Sequence, residues 1–138
     1  MIKAYTDIIQ SKMLAAILSP ESADMWFGCI GESMKMCHVG NYLLELQCRQ
    51  DIDYRKTQPK VICPCWSLAA LLEIIPVTIE RDGNRCRLRI DKSEKDFDIW
   101  YEEVDSGLAQ LDLDIITPNI VDACVEMIKK LHNKKLTL

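Results

Sequence analysis

Glycine and proline are scarce in this sequence, with five of each among 138 residues. That scarcity excludes collagen-like repeats, linker-dominated chains and low-complexity chains. Long apolar runs are also missing, because none approaches the roughly 20 residues that a helix needs to cross a bilayer. The length and the 49% share of hydrophobic residues instead predict a single globular domain over residues 1–138.

An excess of positive charge is missing as well. The chain has 17 basic and 21 acidic side chains, which gives a formal net charge of −4. Binding to nucleic acid draws on concentrated positive charge, so this balance disfavours attachment of the whole chain to a polyanion. The first residues also lack the layout of a signal peptide, since Asp7 and Gln10 interrupt any apolar stretch.

Cysteine, by contrast, is abundant. Its odd count and irregular spacing argue against a closed disulfide framework. Reduced thiols are typical of the cytoplasm, where most cysteines act as small buried hydrophobic residues. The sequence therefore predicts a cytoplasmic protein with free thiols. The seven cysteines are Cys29, Cys37, Cys48, Cys63, Cys65, Cys86 and Cys124.

Two helices are predicted near the beginning of the chain. Apolar residues recur at helical spacing over residues 7–18, and Thr6 is a candidate N-cap. A short helix over residues 20–26 is expected to follow, because Ser19 suits a cap and Pro20 suits the first helical position.

Two further helices are predicted downstream. Residues 67–75 are almost wholly apolar, with Ser67 as cap and Pro76 as stop, so we expect this helix to be covered on most sides. The last helix spans residues 120–131 and follows a cap at Thr117-Pro118. Its apolar face comprises Ile120, Cys124, Met127, Ile128 and Leu131.

Alternating apolar residues predict a β-hairpin over residues 77–90. Its two-residue loop lies either at Gly83–Asn84 or at Asp82–Gly83, and the second choice places Ile79 opposite Cys86. A third strand follows, for which the expected pairing joins Ile90 to Phe97.

The predicted fold class is therefore α+β. An antiparallel sheet of three to four strands, with a meander at 77–102 and a fourth strand at 109–115, packs on three to four helices. A further strand is expected over residues 42–49, where apolar side chains alternate.

Cys63 and Cys65 flank a proline and are candidates for a soft metal site or thiol chemistry. Closed zinc sites use two pairs of ligands at wider spacing, and this chain has no second pair of that kind. The favoured interpretation is two half-buried thiols before a helix cap. Cys37-His38 and the distant His132 offer a thiol nucleophile and a base, but adjacent side chains seldom face each other.

Arg85, Arg87 and Arg89 alternate along one strand and so project from one face. They form a candidate phosphate-binding stripe, with Trp100 beside Arg87 as a stacking partner. The alternative is a solvated sheet face on which these arginines meet acidic residues of the neighbouring strands.

The acidic pairs Asp51/Asp53 and Asp112/Asp114 lack the other positions of a calcium loop. Glu102 and Glu103 point to opposite faces of a strand and make a poor acid–base pair. Because the sequence also lacks a Gly-rich phosphate loop and a nucleophile motif, we expect neither an enzyme nor a cofactor.

Three separated segments carry a resemblance: residues 18–26, residues 63–76 and residues 121–132. In this order they resemble a group of small proteins carried by phages and mobile elements of Bacteroidales gut bacteria, for which no activity is established. Members of that group have Asn-Pro before the third segment, where this chain has Pro118-Asn119. The matched residues least explained by burial are Pro64, Trp66 and Asp122, so the resemblance makes them candidate binding residues.

The sequence thus favours an accessory protein of a phage or mobile element that acts by binding another macromolecule, and we expect that macromolecule to be a protein. We expect a monomer or small homo-oligomer with no membrane attachment. Two alternatives stay open: nucleic-acid binding through Arg85, Arg87 and Arg89, and metal or thiol chemistry at Cys63 and Cys65.

Overall fold

A computed structural model describes residues 3–30, 33–38 and 60–136. The chain divides into two compact units, an N-terminal unit (Tyr5–Ala70) and a C-terminal unit (Met1–Ala4 with Leu71–Leu138). The single-domain organisation stays a prediction. In chain order the described elements are α1 (Ile8–Ala15), a 3₁₀ turn (Pro20–Ser22), β1 (Met25–Ile30), β2 (Ser33–His38), β3 (Lys60–Cys65), α2 (Leu68–Ile74), β4 (Thr78–Arg81), β5 (Asn84–Lys92), β6 (Phe97–Glu103), β7 (Ala109–Thr117) and α3 (Ile120–Asn133).

The α+β fold class is confirmed, and the N-terminal unit adds a second sheet that the sequence did not predict. This sheet is antiparallel, in the order β2-β1-β3, and α1 packs on β3. The predicted strand over 42–49 lies outside the described residues. A buried cluster in this unit comprises Phe27, Cys63 and Cys65, with Tyr5, Ile8 and Met25 packed against it.

The first predicted helix is confirmed, but its cap is different. Asp7 is the N-cap: its carboxylate accepts from the Gln10 backbone N–H at 2.8 Å, while the Gln10 side chain accepts from the Asp7 N–H. Thr6 is buried instead, and its hydroxyl lies 2.7 Å from the Ser11 hydroxyl. The predicted helix over 20–26 shrinks to a single 3₁₀ turn, because the chain enters β1 directly afterwards.

The C-terminal unit contains the four-stranded antiparallel sheet, in the order β4-β5-β6-β7. Its first turn follows the Asp82–Gly83 alternative, so Ile79 faces Cys86. Both loop residues have positive φ, 51° for Asp82 and 79° for Gly83, as a tight turn with the right twist requires.

The second hairpin has a different register from the predicted one. Lys92 rather than Ile90 pairs with Phe97, so Ile90 faces Ile99. The loop is shorter than expected because Ser93 and Asp96 close it: the Ser93 N–H donates to the Asp96 carbonyl at 2.8 Å. The two-residue shift keeps every side chain on its expected face.

The fourth strand is confirmed as β7, which is interrupted by a bulge. Pairing with β6 shifts between Trp100 and Glu102. As a result Leu111 is 85% exposed, although its alternation with Leu113 predicted a shared apolar face.

Asp112, in the bulged part of β7, forms an ion pair with the opposite edge strand of the sheet. The Arg81 guanidinium on β4 donates twice to the Asp112 carboxylate, once at 2.6 Å, and Lys134 reaches the same carboxylate at 2.9 Å. Since β4 and β7 are the two edge strands, this bridge requires the sheet to curve.

The apolar face of the sheet packs on α3, which contacts β6 and β7. The N-cap of this helix is Asn119 rather than Thr117-Pro118: its side-chain oxygen accepts from the Val121 N–H at 2.9 Å. All five predicted apolar positions of the helix are buried. The sheet contributes Ile79, Cys86, Ile99, Tyr101, Leu113 and Ile115 to the buried face.

The helix over 67–75 exists as α2, but its predicted coverage is wrong. Leu71 and the following Ile75 are buried, whereas Leu72 and Glu73 are exposed. The helix therefore has one buried face rather than several. Its predicted cap is confirmed, because the Ser67 hydroxyl accepts from the Ala70 N–H at 3.2 Å.

Candidate functional site

The candidate site is the side of the four-stranded sheet that faces away from the buried layer, and we call it the outer sheet face. Alternation along each strand sends every second side chain to this surface. Its long side chains come from β5, β6 and β7. They are Arg85, Arg87, Arg89, Asp91, Asp98, Trp100, Glu102, Asp114 and Ile116.

Two of the predicted arginines share one acidic partner. The Nε atoms of Arg87 and Arg89 lie 3.2 Å and 3.6 Å from the same Glu102 oxygen. Each guanidinium has five N–H donors, and both side chains are about half exposed, so donors remain available to a ligand. Arg85 is exposed on the same strand, opposite Glu80.

Trp100 lies at the middle of this face. It pairs with Arg89 on one side and with Asp114 on the other, rather than lying beside Arg87 as predicted. Ile116, two residues further along β7, is 63% exposed. An aromatic ring, an aliphatic side chain and two arginines thus occupy one surface.

The other end of the face is acidic. Asp91 on β5 pairs directly with Asp98 on β6. On β7, Ile116 lies opposite Asp98, and Asp114 is the neighbouring residue on the same face. Burial raises the pKa of Asp98 to about 6, and the neighbouring Asp114 carboxyl group and the charge of Asp91 add to this effect. A surface cavity of about 280 Å³ lies beside these groups, lined by Asp91, Ser93, Asp96, Asp98 and Ile116.

Pro64 and Trp66 lie elsewhere, in the N-terminal unit, and both are buried. The Trp66 indole N–H donates to the Ser22 hydroxyl at 2.9 Å, and no part of the side chain is exposed. Burial and this hydrogen bond account for Trp66, which is therefore not available to a partner. Pro64 pairs with Trp26 in the sheet.

Asp122 lies in the first turn of α3, where a carboxylate interacts favourably with the helix dipole. It also accepts a hydrogen bond from the Lys3 ammonium at 2.8 Å. These two interactions give Asp122 a structural role within the C-terminal unit.

The cysteines of the candidate thiol site point into the core. Burial raises the pKa of Cys65, and hydrogen bonds with Thr6 and Ser11 oppose that effect only in part. Burial likewise raises the pKa of Cys63, against the opposing charge of Lys12. Both are free thiols, as are the buried Cys86 and Cys124. Among the described residues, no group of three or more His, Cys, Asp or Glu side chains is arranged to hold a metal ion.

The remaining candidates are distributed over separate elements. Cys37 and His38 occupy successive positions of β2, and His132 lies exposed in the last turn of α3. Asp51 and Asp53 lie outside the described residues. Asp112 and Asp114 were predicted to share an exposed face. Asp112 instead contacts Arg81 and Lys134, whereas Asp114 lies opposite Trp100 in the sheet.

Comparison with known proteins gives no identification: no family model matches the chain, and neither a curated protein nor a solved structure matches it. No helix in the part of the chain that the structure describes has the length and apolar character needed to cross a membrane.

Sequence reasoning overlooked Ile116 and Asp114 as members of the arginine face. Ile115 and Ile116 are consecutive isoleucines on one strand, so one of them had to point outward. The two isoleucines therefore predict an outward-facing apolar side chain, but its proximity to Trp100 depends on the register between β6 and β7.

Proposed function

We propose that this chain is a non-enzymatic accessory protein of a phage or mobile element, and that it acts by binding another protein through the outer sheet face. The observation that carries the proposal is the composition of that face. Trp100, Ile116 and two half-exposed arginines share one surface, and tryptophan and arginine are the residues most enriched at the energetic centres of protein interfaces.

The placement in a mobile element rests on the resemblance carried by three segments of the sequence. A cytoplasmic location is supported by four free, buried thiols, since disulfides rarely form in a reducing compartment. Burial raises the pKa of Cys63 and of Cys65, which disfavours thiol chemistry at this pair, because a thiol kept protonated is a weak nucleophile.

The charges of the face favour a protein partner over nucleic acid. Arg87 and Arg89 are partly neutralised by Glu102. Asp91 and Asp114 extend the negative charge along the same surface. A phosphate backbone would meet repulsion at that end, whereas a protein can present mixed charges.

The expected partner surface follows from what the face offers. The spare guanidinium donors of Arg87 and Arg89 call for carboxylate or carbonyl acceptors. Trp100 and Ile116 would pack against an apolar side chain of the partner that lies between those acceptors. We therefore propose a partner with an apolar anchor flanked by acidic residues.

The test is comparative binding by variants of the full chain. The partner is first captured from cells that encode this protein, then purified and titrated against each variant. Arg89→Glu and Ile116→Asp change the outer sheet face. Lys12→Glu and Ile9→Asp introduce the same acidic residues, in place of a cation and an isoleucine, at exposed positions of α1. Circular dichroism checks that each variant folds.

We expect Arg89→Glu and Ile116→Asp each to raise the Kd at least about tenfold, as is typical of residues central to an interface. The two α1 variants should stay within about twofold of the unmodified protein. Equal Kd values for all four variants would contradict the proposed surface. Recovery of nucleic acid with salt-sensitive affinity would contradict the protein partner.

A further inference from the structure

Two carboxyl groups on neighbouring strands each have one oxygen atom without a hydrogen-bond donor. One oxygen of Asp98 and one of Asp114 are completely buried, and neither has a hydrogen-bond partner among the described residues. Ionised carboxylates only accept hydrogen bonds, so two of them side by side cannot satisfy each other. Buried acceptors without a donor are costly, and native structures contain few of them.

We propose that Asp98 and Asp114 form a proton-sensitive contact between β6 and β7: in mildly acidic solution Asp98 takes up one proton and donates it to Asp114, and at higher pH the two carboxylates repel each other. One proton supplies a donor for the Asp114 oxygen and removes one of the two negative charges. The contact therefore stabilises the sheet when Asp98 is protonated.

The charged groups around the pair strengthen this behaviour. Strand β5 contributes Asp91, directly opposite Asp98, and Arg89, which is engaged with Glu102. The loop between β5 and β6 contributes Asp96, which lines the same cavity as Asp98. Asp91 and Asp98 are thus directly paired carboxylates, and like charges on directly paired residues destabilise a sheet.

The direction of the pH dependence follows from the raised pKa of Asp98, about 6 in the folded protein. In the unfolded chain an aspartate has a pKa of about 3.9. A raised folded-state pKa gives a stabilisation that is complete below the unfolded value and lost as the pH rises through the folded value. The protein should therefore lose stability between about pH 4 and pH 7 through this contact.

The experiment is urea unfolding of the full chain at pH 5 and pH 8, for the unmodified protein and for Asp98→Asn. The asparagine amide donates to Asp114 at every pH, so the variant has no proton to lose. We expect the folding equilibrium constant of the unmodified protein, relative to the variant, to fall by about tenfold from pH 5 to pH 8. Asp105→Asn, an exposed aspartate in the next turn, should leave the pH dependence unchanged.

A direct titration keeps the proposal testable even if the variant folds poorly. Carbon-13 NMR of the Asp98 carboxyl should give a midpoint near pH 6 in the unmodified protein, and Asp114→Asn should lower that midpoint. A midpoint near pH 4 in the unmodified protein would overturn the proposal. So would a relative folding constant that stays within twofold between pH 5 and pH 8.

Discussion

Asp24 and Ser22 fix the chain that leads into α2. The Asp24 carboxylate accepts from the Ser67 backbone N–H at 2.9 Å and from the Ser67 hydroxyl, which in turn caps α2. Ser22 accepts from the indole of the buried Trp66. At the scale of single residues, two of the three segments that carry the resemblance therefore hold each other in place.

Replacing Asp24 with alanine should destabilise the protein by about 1–2 kcal/mol, since it removes the acceptor of two hydrogen bonds and loosens a helix cap. Urea unfolding at neutral pH measures the change. Glu21→Ala, at an exposed position of the neighbouring 3₁₀ turn, is the control and should stay within about 0.5 kcal/mol. A similar loss for both variants would show that the Asp24 hydrogen bonds do not stabilise the fold.

The buried thiols should resist modification in the folded protein. Burial raises the pKa of Cys124 to about 12 and also raises the pKa of Cys86 and of Cys65. The reactive thiolate is therefore rare at pH 8. Alkylation with iodoacetamide, mapped by mass spectrometry, should label these cysteines only after unfolding. Rapid labelling of Cys65 in the native protein would reopen thiol chemistry.

At the scale of secondary-structure elements, the sequence predicts which strands exist and which face each side chain occupies. It predicts the pairing register between strands less well. The period-two pattern of β5 and β6 is unchanged by a shift of two residues, so it could not distinguish Ile90–Phe97 pairing from Lys92–Phe97 pairing. The outcome depends on the loop hydrogen bonds between Ser93 and Asp96. Because of the same shift, Trp100 pairs with Arg89 rather than with Arg87.

The sequence also does not determine which of two neighbouring residues caps a helix. Thr6 and Asp7 are adjacent residues that can both cap α1, and burial of Thr6 beside Ser11 decides in favour of Asp7. The bulge in β7 has no sequence signal of its own, because Leu111 and Leu113 continue the alternation. Within the bulged part, Asp112 contacts Arg81 on β4 and Lys134 at the C-cap of α3.

The contact among Arg81, Asp112 and Lys134 should make a pH-dependent contribution to stability. The Arg81 guanidinium, and then Lys134, hold the pKa of Asp112 well below its usual range. A lowered folded-state pKa gives a stabilisation that is present above about pH 4, the unfolded value, and lost as the pH falls further. Because Asp112 is 41% exposed, solvent screening limits the effect.

We therefore expect Asp112→Asn to cost about 1 kcal/mol at pH 7 and progressively less as the pH falls below 4. Urea unfolding at pH 7, pH 5 and pH 3 measures this difference. Glu94→Gln, on the exposed loop between β5 and β6, provides a carboxylate control. A cost for Asp112→Asn that persists unchanged at pH 3 would contradict the role of the charge.

At the scale of the whole molecule, the two faces of the four-stranded sheet have different roles. One face is buried against α3, and the other carries the proposed interaction surface and the proton-sensitive contact. The α+β class and this apolar face followed from periodicity. The second sheet did not, because glycines and polar residues obscure the pattern after residue 27.

A pair of isoleucine substitutions tests this arrangement most directly. Ile99 is fully buried on β6, and Ile116 is 63% exposed on the neighbouring β7. The measurement is the free energy of unfolding in urea for Ile99→Ala and Ile116→Ala, which remove the same atoms from opposite faces. We expect a loss of about 2–4 kcal/mol for Ile99→Ala, because a cavity opens in the core, and of less than about 1 kcal/mol for Ile116→Ala. Equal losses, or a larger loss at Ile116, would contradict the assignment of the two faces.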